Sequence, residues 1–213
     1  MYKNELDKHI QNNSISNSFV FFGESSFLID TYTKKISNKP DGSLLTYYFD
    51  EYDFNSAKAH LSQASLFGGE NILIIKSEKK IPKKELDIFI DYCEKNPDNL
   101  FIYAYYGSDH KTYNNKKTFS KSSTMSVRFF NPNQGESIFT LSQIARDKNV
   151  NIDNYTLTHL LGIHNGDIAL AANEMDKLKV YDRAITTKDV DNLVFGLASV
   201  NIDDLIKKVL NKK

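Results

Sequence analysis

The chain has 213 residues, a formal net charge of zero and 40% hydrophobic residues. That is ample for a buried core, and it lacks the global positive field of a protein that binds nucleic acid or anionic membranes by charge alone. A single cysteine, Cys93, excludes an intramolecular disulfide and a cysteine-rich zinc site and fits a reducing cytosol. The opening MYKNELDKHI mixes charges without an apolar run, unlike a signal peptide, and no stretch approaches the roughly 20 apolar residues of a membrane span.

Tyr2, Leu6, His9 and Ile10 fall at helical spacing and predict a short amphipathic helix. Phe19 to Phe22 is a continuous apolar run ending at Gly23, as expected of a strand buried on both faces. Leu28, Tyr32 and Ile36 mark the next helix, and the turn Lys39-Pro40-Asp41-Gly42 leads to a second strand over Leu44 to Phe49. Phe54, Ala57, Leu61 and Ala64 share one helical stripe, which Gly68 and Gly69 are expected to close. Ile72 to Ile75 is a third strand. Leu86, Phe89, Ile90 and Cys93 follow helical spacing from near Pro82, which places Cys93 in the core. Leu100 to Tyr106 is a fourth strand, residues 107–124 are polar, and Met125 to Phe130 is a fifth strand. This alternation predicts an α/β fold with a mostly parallel five-stranded sheet and flanking helices.

The pattern changes at Asn131-Pro132-Asn133. Helices follow on Ile138, Leu141 and Ala145; on Leu157, Leu160 and Leu161 behind the N-cap Asp153; on Ile168, Ala171, Ala172, Met175 and Leu178; and on Val190, Leu193 and Val194 behind Thr186 or Thr187. The expected organisation is an α/β domain over 1–132, a small all-α domain over 133–198, and the start of a further helical domain over 199–213.

A strand, a glycine and a helix are where a phosphate-binding loop would sit. That loop needs glycines whose neighbouring N–H groups cradle phosphates, a lysine for the outer phosphates and a hydroxyl for magnesium. Counting from Gly23, the second glycine position holds Leu28, the lysine position Ile29 and the hydroxyl position Asp30. Ile29 offers no donor, and Asp30 would set negative charge beside a phosphate. The third strand runs into Lys76-Ser77, where an ATPase of this architecture needs acidic residues for magnesium and water. Gly166-Asp167-Ile168-Ala169-Leu170 has Ala169 where many such ATPases place a phosphate-sensing arginine. The turn therefore reads as a degenerate, non-binding loop, with no catalytic residue, metal or cofactor expected. The five histidines, His9, His60, His110, His159 and His164, show no metal spacing, and the acidic pairs Asp50-Glu51 and Asp203-Asp204 read as solvated faces.

Several stretches resemble the delta subunit of the bacterial DNA polymerase III clamp loader. FVFFGESSFLIDTYTKKI, from Phe19, is similar to that family's opening strand and helix. ASLFG, Ala64 to Gly68, ahead of an apolar strand, is similar to its most distinctive motif. Phe129-Phe130-Asn131-Pro132-Asn133 resembles its domain junction, and Gly166-Asp167 with Asn173-Glu174 and Lys177-Leu178 its helical lid. The resemblance runs in order along almost the whole chain. It implies an AAA-plus-type module with a lid and then a collar, of which Asn201 to Leu210 reads as the first helix, the collar being otherwise absent.

It also implies the role of one pair. At about 100° per residue, continuing the helix of Phe54 places Leu66 roughly opposite the apolar stripe. The residues alone favour a hydrophobic contact beside a helix C-cap. The resemblance implies instead that Leu66 and Phe67, with Ser65 adjacent, enter a hydrophobic pocket on the beta sliding clamp. The chain would then bind the clamp and help open it for loading onto primed DNA, without hydrolysing ATP itself, as a component of the DNA polymerase III holoenzyme. Its partners would be the clamp, the gamma/tau and delta prime subunits, and DNA through the assembled loader, in a cytoplasmic replisome with no membrane contact. Lys79, Lys80, Lys83, Lys84 and the stretch His110 to Lys121 read as solvated, or as weak phosphate contacts within that assembly. Rival readings are an active AAA-plus ATPase, opposed by the missing lysine, acids and arginine; a free-standing nucleic-acid-binding module, opposed by the neutral charge; and the zinc-binding partner subunit, opposed by the cysteine count.

Overall fold

The computed structural model describes residues 1–63, 69–108 and 123–194. The chain divides into two compact units, Met1–Asn131 and Pro132–Lys213.

The first unit runs α1 (Lys3–Gln11), β1 (Ser18–Gly23), α2 (Ser26–Ser37), β2 (Ser43–Tyr48), a 3-10 turn (Phe49–Glu51), α3 (Phe54–Ser62), β3 (Asn71–Ser77), α4 (Lys83–Lys95), β4 (Asn99–Tyr105) and β5 (Met125–Phe129). The five strands are all parallel, in the order β2-β3-β4-β1-β5. Parallel strands need covered faces, which is why β1, β3 and β4 are nearly unbroken apolar runs. Their side chains alternate between two cores. Val20, Leu73, Phe101 and Tyr103 pack with Leu61 of α3 and with Leu86, Phe89 and Cys93 of α4. Phe19, Phe21, Ile74, Ile102 and Phe129 pack with Leu6 of α1 and with Leu28, Ile29 and Tyr32 of α2. At the β5 edge, the Met1 ammonium donates to the Ser126 carbonyl at 2.8 Å and the Arg128 N–H donates to the Met1 carbonyl at 3.1 Å. The other edge, β2, exposes Leu44 and Tyr48.

In the second unit α5 (Gln134–Asp147), α6 (Asn154–Ile163), α7 (Ile168–Leu178) and α8 (Thr187–Leu193) bury Leu141, Leu157, Leu160, Ala171, Met175 and Val190. Each helix starts on a side-chain cap. Asn133, Asp153, Asp167 and Thr186 accept from the first-turn N–H groups of Glu136, Thr156, Ala169 and Asp189 respectively, satisfying donors that a helix leaves orphaned. The Asp189 carboxylate accepts two bonds from the Arg183 guanidinium, both at 2.7 Å. That guanidinium holds the carboxyl well below the usual range, helped by Thr186.

Two sequence expectations need correction. The stripe of α5 turns Ser137 inward with Leu141 and Ala145, and leaves Ile138 half-buried. Helix α3 is not closed by glycines: it ends at Ser62, and its C-cap Gln63 is extended at φ −75° and ψ 133°.

Candidate functional site

In open parallel sheets, ligands sit beyond the carboxyl ends of the strands where the strand order reverses. Here that place is the turn from β1 into α2. Only Glu24 and Ser25 separate the two elements, so α2 begins too early to leave a wide loop around a phosphate. The Ser25 hydroxyl accepts from the Leu28 N–H at 3.3 Å, and the Glu24 carboxylate, 3.3 Å from the Arg128 guanidinium, brings negative charge to the helix start.

Gly23 has φ +135°. A Cβ there would lie 2.0 Å from the Phe129 carbonyl oxygen, the same oxygen that accepts from the Glu24 N–H at 2.7 Å. The glycine is thus required by the close passage of β5, whatever else the turn does.

Leu28 and Ile29 are 2% and 0% exposed and belong to the core beneath α2. Asp30 is the residue that reaches the strand ends. Its carboxylate lies 2.6 Å from the Lys76 ammonium of β3 and accepts from the Tyr106 hydroxyl at 2.7 Å. Lys76 also lies over the Tyr48 ring, 5.6 Å from its centroid. Burial, then the bond to Asp30, pushes the Tyr106 phenol well above its ordinary range. The acid in the hydroxyl position and the lysine in place of an ATPase acid therefore satisfy each other. In the helical unit, Ala169 is half-buried in the first turn of α7, its N–H bound by Asp167.

Ser65, Leu66 and Phe67 lie outside the described residues, as do His110 and Asp203-Asp204. The elements on either side of 64–68 are described, and they hold residues that the sequence reading missed. Asn71 and Asn99 open β3 and β4 and stand side by side in register, 5% and 1% exposed. The Asn71 amide donates to the Gln63 carbonyl at 2.9 Å and to Asn99 Oδ1 at 3.2 Å. The Asn99 amide donates to the Leu61 carbonyl at 2.9 Å and to the Tyr92 carbonyl of α4 at 3.2 Å. His60 adds an Nε2 contact, at 3.1 Å, to each of the Ser43 and Ile72 carbonyls. The end of α3 is held by side-chain amides from the sheet. The only sequence signal was an asparagine heading each of two apolar strands.

His9 bonds to Ser14, His159 lies 2.7 Å from the Asp191 carboxylate, and His164 is buried. Asp50 pairs with Lys79 at 2.5 Å. No group of metal-binding side chains occurs among the described residues, and no helix among them is long and apolar enough to cross a membrane. A cleft of about 360 Å³ in the helical unit gathers Ser137, Thr158 and Gly166 but no titratable side chain.

The solved structure of the Bacillus subtilis DNA clamp loader delta protein (YqeN) is similar over 98% of this chain and 67% of that one, with a TM-score of 0.60 at 19% identity. A Thermotoga maritima RuvB structure is similar over 93% of this chain and 67% of that one, with a TM-score of 0.50 at 15% identity. The fold is AAA-like. In sequence, proteins from two strains of Helicobacter pylori align with the whole chain at 28% and 27% identity over 233 residues, covering 68% of each relative. A family model described as the HP_1247_M middle domain matches residues 133–192, which span α5 to α8 up to Asn192.

Proposed function

We propose that this chain is a delta-type clamp-loader subunit of DNA polymerase III. It binds the beta sliding clamp through Leu66 and Phe67, with Ser65 adjacent, and helps open the ring without hydrolysing ATP itself. In this reading, 1–132 is the clamp-binding AAA-plus-like domain, 133–198 the lid, and 199–213 the start of the collar that joins the gamma/tau and delta prime subunits around primed DNA in a cytoplasmic replisome. The observation that carries it is the likeness of nearly the whole fold to a clamp loader delta protein. The Asp30–Lys76 pair, beside the turn where a nucleotide would sit, supports it.

Leu66 and Phe67 supply enough free energy for such a contact. Burying two side chains of this size is worth roughly 1.5–3 kcal/mol each. Binding favours an open ring only through tighter contact with that state than with the closed one. The test is capture of the cognate clamp by this chain without nucleotide. Phe67→Ala lowers the affinity at least tenfold, about 1.4 kcal/mol, with the melting curve nearly unchanged. Unaltered affinity defeats the reading, and a collapsed melting curve assigns Phe67 to the core.

A further inference from the structure

We infer that Asn71 and Asn99 are positioning residues for clamp binding, a role that rests on the proposed function. A helix ends with carbonyls that have no partner within it, and proteins commonly satisfy them by a left-handed glycine cap. Helix α3 takes another course. Its chain leaves through Gln63 in extended conformation, and its Leu61 and Gln63 carbonyls are taken by Asn99 and Asn71. Residues 64–68 follow directly in sequence.

Every side-chain donor of the pair is used. Each side-chain amide has two N–H donors. Those of Asn99 go to Leu61 of α3 and Tyr92 of α4, while its Oδ1 accepts from Asn71 at 3.2 Å and Asn96 at 3.5 Å. Those of Asn71 go to Gln63 and Asn99. A buried network whose donors are all satisfied fixes one arrangement, since any slip strands a desolvated polar group. Leucine or valine would fill either strand position with better β propensity. The amides supply something that apolar residues cannot, a fixed exit point for the chain from α3, set against the two interior strands β3 and β4.

The experiment measures cognate-clamp affinity for Asn71→Ala, Phe67→Ala and the double variant, with hydrogen exchange of the backbone amides of Ser62 and Gln63. Asn71→Ala removes two bonds and is expected to weaken clamp binding about fivefold. Exchange at Ser62 and Gln63 quickens while the exchange of β4 is retained. In the Phe67→Ala background the loss falls below about twofold, because residues acting through one contact are not additive. Asn71→Thr, which suits a strand and is too short to reach both acceptors, gives the same pattern and serves if the alanine variant does not fold. Wild-type affinity in a folded Asn71 variant, with Phe67→Ala weakened, overturns the positioning role and leaves the clamp reading standing. An additive double variant, or unchanged exchange at Ser62 and Gln63, also overturns it. Wild-type affinity in Phe67→Ala overturns the clamp reading itself, and this role with it.

Discussion

The Asp30 carboxylate and the Lys76 ammonium, from positions far apart in the chain, meet at 2.6 Å at the carboxyl end of the sheet. Each is the wrong residue for nucleotide chemistry at its position, and each is the other's partner. Asp30 is half-exposed, so the pair itself stabilises by only about 0.2–1 kcal/mol. Asp30→Ala is therefore expected to lower stability by no more than about 1 kcal/mol, less in high salt. It also removes the carboxylate that Tyr106 bonds, so the Tyr106 phenol ionises at lower pH, read by near-ultraviolet absorbance titration.

Ile29→Lys tests whether the turn accepts the missing lysine. Position 29 is fully buried among Phe19, Phe21 and Phe129, and an unpaired ammonium there is desolvated. The variant is expected to lose about 3 kcal/mol or more in urea denaturation, with no gain in melting temperature from magnesium ATP.

Gly23→Ala places a Cβ against the Phe129 carbonyl at a backbone angle that L-residues rarely adopt. The two effects together are expected to cost about 2 kcal/mol or more in denaturant unfolding.

Burial pushes the Cys93 thiol up to about 12. The native protein is expected to resist thiol alkylation at mildly alkaline pH and to react only as it unfolds. An unfolded thiol ionises near 8.5. The unfolded state therefore loses its proton first, and the Cys93 contribution to stability declines as pH rises from about 8.5 toward 12.

Asp189 gives the opposite slope. Its carboxyl is depressed by Arg183 and Thr186, so its contribution is complete above the unfolded value near 3.9 and is lost as pH falls below it. Asp189→Asn is expected to flatten the acid limb of the melting temperature against pH, and Arg183→Ala to do the same more weakly.

Periodicity was enough for the layers of this fold. Phe19 to Phe22 and Leu100 to Tyr105 are apolar without a break because helices cover both their faces, and Asp153 and Thr186 mark helix starts by the bonds that their side chains make. The end of α3 was misread because Gly68 and Gly69 are the usual local signal for a helix stop, whereas Asn71 and Asn99 act across strands from a distance in sequence. Ser137 lies at i, i+4, i+8 with Leu141 and Ala145, so the inner stripe of α5 runs through it and leaves Ile138 at its margin. For the turn after β1, the residue types alone showed that the lysine and hydroxyl of a phosphate loop are missing. That Asp30 and Lys76 would find one another required the register of the sheet.

The early start of α2 limits what substitution could install at this turn. A helix that begins at Ser26 turns position 29 into core and commits position 30 to a lysine on another strand. A lysine at 29 meets hydrocarbon, and replacing Asp30 takes away the carboxylate that Lys76 and Tyr106 share. A phosphate cradle here would require the start of α2 to move first, which single substitutions at 29 or 30 do not accomplish.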